Sequence, residues 1–223
     1  MLSNLWVFAF VALCLLGACR GDKVAKFPLQ VSFNVTITAH QIEEASEFPP
    51  RTRSMFVRYD YINGRVRADI AAGYEAEKTY IRRYDDQREY MVRHDPLNDC
   101  KRSYLGEIMP YPLIPSTEFV KSLVMTGEAV DYYLHQDFET RVHMYFRQDT
   151  HWPVRVVQEA VTAGEGDEPG VSVPMLTYEY TDVELGAPDA GHFELPLPHL
   201  HEHCDRHVGG FPYIHAFHYF VKF

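Results

Sequence analysis

The sequence predicts a mainly β protein built from antiparallel strands. Three observations carry that expectation: a dominant period of two among the apolar residues, polar turns that separate one alternating run from the next, and a 14% aromatic content with 15 Tyr and 14 Phe. Alternation sends every second side chain to the same face, so each run reads as a strand buried on one side. Tyr and Phe suit both a pleated, half-buried surface and the walls of an apolar pocket.

In chain order, the first element is a targeting segment. Leu5 to Leu16 is an almost unbroken apolar run ending in Gly17, Ala18 and Cys19. It falls short of the roughly 18 apolar residues that span a bilayer, and small residues stand where signal peptidase cuts. Residues 1–19 therefore read as a cleaved signal peptide, which makes the mature chain secreted or lumenal. Leu16-Gly17-Ala18-Cys19 also fits a bacterial lipobox with an acylated Cys19, but Met1 to Asn4 lacks the Lys or Arg of that signal's start. Residues 20–223 carry no Ser/Gly-rich linker or charge block, and about 200 residues can bury one core, so a single domain is expected.

Val31, Phe33, Val35, Ile37 and Ala39 alternate with Ser32, Asn34, Thr36 and Thr38 in the cleanest strand. Ser54 to Tyr61 leads through Asn63-Gly64 into Arg65 to Ala72; Asn-Gly between two such runs signals a hairpin, because a type I′ turn needs positive φ at both central residues. Thr79 to Tyr84 and Glu89 to His94 flank Asp85-Asp86-Gln87 as a second hairpin. Ala129 to Leu134, Thr140 to Arg147, Val154 to Ala160 and Met175 to Val183 bring the expected strands to nine. Ser116 to Val124 is the one helix candidate, with Ser116 as N-cap, Glu118 in the first turn and Phe119, Leu123 and Val124 as its apolar face. Before it, Met109 to Pro115 holds three prolines and reads as an ordered apolar crossing loop, either a cover for the sheet or a surface connector. The aromatic end, Tyr213 to Phe223, is expected to dock as a strand or cover one end of the fold; a membrane-surface contact is the weaker option, with only Lys222 for positive charge.

Once Cys14 and Cys19 have left with the signal or been lipidated, Cys100 and Cys204 remain, and two cysteines in an oxidising compartment point to one disulfide rather than two buried thiols. Asn34-Val35-Thr36 is a glycosylation sequon with Asn34 as acceptor. The net charge of -10 argues against nucleic acid as a partner, since phosphate-backbone binding needs clustered Lys and Arg.

Several of these segments resemble the LolA-like proteins of eukaryotes, the group that includes the ependymin-related proteins. The resemblance lies in Phe27 to Thr36, the turn at Asp60 to Arg65, Thr79 to Tyr84, the cysteine at Cys100 just after a hairpin, and Gln148 to Glu159 with Trp152-Pro153-Val154-Arg155 entering a strand. It implies a deeply curved, half-open antiparallel barrel, partly plugged by one or two short helices or loops, whose concave face takes acyl chains or other hydrophobic ligands. Ependymins proper have more cysteines than the two left here. A closed lipocalin barrel is the rival form, but the Gly-x-Trp of its first strand is absent.

For such a sheet the candidate lining is Phe33, Val35 and Ile37, Val57, Tyr59 and Tyr61, and Val142, Met144 and Phe146, which either wall a cavity or fill a core. Met144 and Met175 would suit a pocket that adapts to varied chains. The His-rich segment 192–223 offers a second idea: His199, His201 and His203 share one side of an extended strand and could hold zinc or copper, or the histidines could titrate near pH 6 as a sensor. A solvated polar loop is the plainer alternative. No Gly-x-Ser-x-Gly elbow, His-Glu-x-x-His, P-loop or dinucleotide fingerprint occurs, so neither an enzyme nor a cofactor is expected. The function expected is non-enzymatic binding of a lipid or other hydrophobic small molecule, with an extracellular structural or metal-binding role as the alternative.

Overall fold

The computed structural model describes residues 25–46, 51–73, 75–94, 99–112, 114, 117–162, 171–195 and 203–211. Within them the chain is mainly β. Its strands are β1 (Gln30–Ala39), β2 (Thr52–Asp60), β3 (Arg65–Ala72), β4 (Lys78–Arg83), β5 (Arg88–Arg93), β6 (Cys100–Tyr104), β7 (Glu118–Met125), β8 (Glu128–Gln136), β9 (Thr140–Arg147), β10 (Pro153–Val161), β11 (Ser172–Leu185) and β12 (Asp205–Arg206). All twelve form one open sheet in the order β12-β6-β5-β4-β3-β2-β1-β11-β10-β9-β8-β7.

Two antiparallel meanders, β1 to β6 and β7 to β11, meet where β1 pairs with β11. The segment after β6 must therefore carry the chain from one flank of the sheet to the far edge. Flat, those ten strand spacings would measure about 48 Å at about 4.8 Å each. The roughly 14 residue steps from Tyr104 to Glu118 reach only about 46–50 Å fully extended, and this segment turns at Gly106, whose φ is 63°. The sheet consequently curves, bringing its two sides together across a concave face. Register shifts at Ser32/Asn34, Ser54/Met55, Pro153/Arg155, Gln158/Glu159 and Phe119/Lys121 supply local bends of the kind β-bulges introduce.

Concave and convex faces follow from the register. Val31, Phe33, Val35 and Ile37 of β1 stand opposite Tyr59, Val57, Met55 and Arg53 of β2, and Val35 and Ile37 stand opposite Tyr180 and Tyr178 of β11. Carried outward, the same face holds Val66, Ala68 and Ile70 of β3, Tyr80 and Arg82 of β4, and Met91 of β5. On the other flank it holds Val156 of β10, Val142, Met144 and Phe146 of β9, and Tyr133 of β8. These apolar residues form one continuous core. A smaller core lies on the convex side, where Ile81, Tyr90, Val92 and Cys100 pack beneath Cys204 and Leu195.

The carboxy-terminal segment builds that second core and then crosses the sheet's edge. A short 3-10 helix, Ala190–Phe193, is capped by the Asp189 carboxylate, which accepts from Gly191 N at 2.7 Å. Arg67 Nη1 donates to the His192 carbonyl at 2.9 Å, and Phe193 is buried beside the Arg65 guanidinium. The Cys100–Cys204 disulfide follows, and β12 pairs parallel with β6. Phe211 then lands on the concave face, 6.0 Å from the Tyr80 ring.

Nine strands were expected, and the described residues form twelve. The helix expected over Ser116 to Val124 is instead strand β7, Glu118–Met125, paired with β8. Thr126 and Gly127, at φ 52° and 85°, form a tight turn of the hairpin type between β7 and β8, and this local pairing overrides the weak N-cap signal. Strands β6 and β12 escaped notice because one is short and polar and the other has two residues. Tyr61, expected in a strand, lies in the turn after β2. Residues 1–19, His199, His201 and Tyr213 to Phe223 lie outside the described residues.

Candidate ligand-binding face

The nine residues expected to line a ligand site come from four stretches of sequence: β1, β2, the turn that follows it, and β9. Register brings eight of them onto the concave face, and Val57 and Val142 are 0% exposed there. Tyr61 joins from the turn, partly buried against the same core, with its ring 5.1 Å from that of Tyr111 in the crossing segment. Met175, suggested as adaptable lining, is displaced: its neighbour Leu176 pairs with inward Ala39, so Met175 faces the convex side, where it is exposed.

Coil covers this face. Phe27, ahead of β1, makes edge-on contacts with Phe33 and Tyr59 at 6.2 and 6.0 Å. Met109 and Ile114 of the crossing segment pack on the core and Pro112 is buried, while Ile108 just before them and Tyr111 between them are exposed. The crossing segment is therefore a cover, not merely a connector. Phe211 closes the third side.

Polar groups sit within the apolar field. Burial pushes the phenols of Tyr59 and Tyr180 well above their usual range, so both stay protonated at any physiological pH. Arg82, 2% exposed, points to the concave side of β4. Its Nε donates to Glu89 Oε2 at 3.1 Å, and its Nη1 to Glu107 Oε1 at 3.2 Å and to Tyr84 Oη at 3.3 Å. The amide of Phe211 donates to Glu89 Oε1 at 3.1 Å. Burial raises the Glu89 carboxyl above the ordinary range, against the opposing pull of the Arg82 charge and these hydrogen bonds. Glu107 belongs to the crossing segment, so a half-exposed carboxylate on the cover grips a buried guanidinium on the sheet.

Sequence reasoning passed over Arg82 and Glu89. Their signal was present, since each occupies the inward position of an alternating run, between Tyr80 and Tyr84 and two before Met91.

The other expected sites separate from this face. Asn34 lies on the convex side of β1, where its Nδ2 donates to Asp182 Oδ2 at 2.7 Å. Cys204, in the disulfide, cannot serve as a thiolate ligand. His203 is exposed, and among the described residues no group of three His, Cys, Asp or Glu is placed to hold a metal ion. No helix of the described residues is long and apolar enough to cross a membrane. Described residues line a cavity of about 390 Å³ beside β5, β6 and β12 and another of about 220 Å³ on the convex side of β1, β2 and β11.

No family model matches the chain, and no curated protein matches it. Among solved structures it is similar to an uncharacterized conserved protein from Thermus thermophilus, at 8% identity and a TM-score of 0.48, over 79% of this chain and 90% of that one. It is also similar to PNGF-II in two crystal forms, at 8% identity, with TM-scores of 0.31 and 0.30 over 75% and 74% of this chain. The chain spans 30% and 29% of the length of those PNGF-II chains.

Proposed function

We propose that the protein is a non-enzymatic carrier that holds a lipid, an acyl chain or a similar hydrophobic molecule against the concave face of its sheet. The observation that carries this reading is the nature of the cover. An apolar sheet face is ordinarily buried against a second layer of helix or sheet. Here, among the described residues, the cover is coil: Phe27, the crossing segment with Met109 and Ile114, and Phe211. Coil held by a few side chains is displaced more cheaply than a packed layer, because little backbone hydrogen bonding is lost when it moves.

The resemblance to LolA-like and ependymin-related proteins belongs to the same proposal. So does the secretory route, which the disulfide supports, since such bonds persist in oxidising compartments. A fluorescent fatty acid titrated into purified protein tests the binding. Saturable uptake near one per chain, competed by unlabelled fatty acid, supports the carrier; a signal that never saturates, or that unlabelled ligand leaves unchanged, rules it out.

A further inference from the structure

Arg82 brings a positive charge to the concave face, and the two carboxylates that answer it are held in different ways. Glu89 is 1% exposed, stands opposite Arg82 in the β4–β5 ladder, and accepts the Phe211 amide on the oxygen that Arg82 Nε does not use. Glu107 is 46% exposed and sits on the crossing segment. Its backbone is fastened independently of its side chain. The Gln87 side-chain amide donates to the Glu107 carbonyl at 3.2 Å, and the Leu105 amide donates to the Gln87 carbonyl at 3.1 Å. The Glu107 carboxylate can therefore turn into water while the coil that carries it stays on the sheet, whereas Glu89 is locked in place.

Arg82 also adjoins the candidate lining. Val66 of β3 stands opposite Arg82 on one side and opposite Tyr59 on the other, so the inward position of Arg82 lies two strands from that of Tyr59. Taking a carboxylate away from a buried guanidinium is costly, so a group that displaces Glu107 must bring negative charge and paired oxygens of its own. A ligand carboxylate replaces like with like. It makes the same charge-assisted hydrogen bonds, leaves the charge around Arg82 unchanged, and returns a half-exposed side chain to water at little cost. An alcohol or an ester brings no charge, and a phosphate monoester sets close to two negative charges beside buried Glu89.

We infer, resting on the carrier reading, that the ligand of the concave face is a carboxylate amphiphile of the fatty-acid class. Its carboxylate takes the place of Glu107 on Arg82, and its chain lies over Val66 and Tyr59.

Dodecanoic acid, dodecanol and methyl dodecanoate, each competing with the neutral probe N-phenyl-1-naphthylamine near neutral pH and below micelle-forming concentrations, test this. The variants are Glu107→Gln and Arg82→Gln, with Glu179→Gln on the convex face of β11 as a control that changes the net charge equally; melting curves establish that each is folded. The acid should bind about tenfold or more tightly than the alcohol or the ester, the ratio that a hydrogen bond to a charged group supplies. Glu107→Gln should tighten the acid by about threefold, the worth of a half-exposed ion pair, and leave the alcohol unchanged. Arg82→Gln, where folded, should erase the preference for the acid. The assignment is overturned, with the carrier reading intact, if the alcohol or the ester binds as tightly as the acid, or if Glu107→Gln tightens the acid no more than Glu179→Gln does. If none of the three binds, by displacement or by native mass spectrometry, the carrier reading fails and the assignment with it.

Discussion

Removing the disulfide should be among the most costly changes to the fold's stability. Cys100 and Cys204 are 104 residues apart in sequence, and a closed loop of that size lowers the entropy of the unfolded chain by about 16 cal/mol/K. At 25 °C that amounts to about 4.8 kcal/mol in favour of the folded state. A domain of about 200 residues loses roughly 2–4 °C of melting temperature per kcal/mol, so the C100A/C204A double variant should melt about 10–19 °C lower. The loss should also be local before it is global. Without the bridge, β12 and the residues after it keep a two-residue pairing and a few hydrogen bonds, among them those of the His207 and Phe211 amides to Arg102 and Glu89, while Ile81, Tyr90 and Val92 lose the cover that Cys204 and Leu195 provide. Differential scanning calorimetry measures the first effect, and amide exchange along β5 and β6 the second. A melting temperature lowered by less than about 4 °C would refute the reasoning, because Phe193, Phe211 and β12 would then hold the segment unaided.

The remaining predictions concern single groups. Arg82→Met leaves Glu89 buried without its cation and should destabilise the fold by about 3–5 kcal/mol at pH 7 in urea unfolding. Because the Glu89 carboxyl already titrates above its usual range, part of that loss should be recovered as pH falls toward the unfolded value of about 4.3, and a pH-independent loss would contradict the assignment. Asp69 has the opposite sign. Burial raises its pKa, but hydrogen bonds from Arg67 and Thr79 and the charges of Arg67 and Arg58 outweigh that and lower it. Its stabilisation is thus present above the unfolded value of about 3.9 and fades as pH drops through the lower folded value, so Asp69→Asn should destabilise by about 1–3 kcal/mol at neutral pH and by little near pH 2. Val57→Ala, in the middle of the apolar face, should cost about 2–3 kcal/mol, whereas Val124→Lys on exposed β7 should stay within about 0.5 kcal/mol; equal costs in chemical denaturation would mean the face assignment is wrong. Expression through a eukaryotic secretory pathway should add one N-glycan, and intact-mass analysis of Asn34→Gln should show it gone.

How far the fold could be read from the sequence depended on the range of the signals. In β1 every apolar residue falls on one face, and both of its neighbours bury that same face, so the period of two survives unbroken. The Asn63-Gly64 turn and the second hairpin were equally local. Strand β7 was lost because its alternation is diluted by a bulge at Phe119/Lys121 and because an edge strand need not bury either face. The cavity beside β5, β6 and β12 could not be read at all, since β12 reaches β6 only through a parallel pairing of two residues fixed by a disulfide. Arg82 and Glu89 belong to a middle case: their inward parity was visible, but their mutual pairing and the grip of Glu107 depend on the register of β4 against β5 and on the path of the crossing segment.

Native mass spectrometry of the protein purified from the medium of expressing cells, followed by organic extraction, tests the carrier reading most directly. The account predicts a bound hydrophobic molecule near one per chain, released on extraction, with the emptied protein taking up added fatty acid or phospholipid. A mass equal to the bare disulfide-bonded chain with its glycan, and no uptake of either lipid, would mean that the concave face is a filled core and would contradict the account.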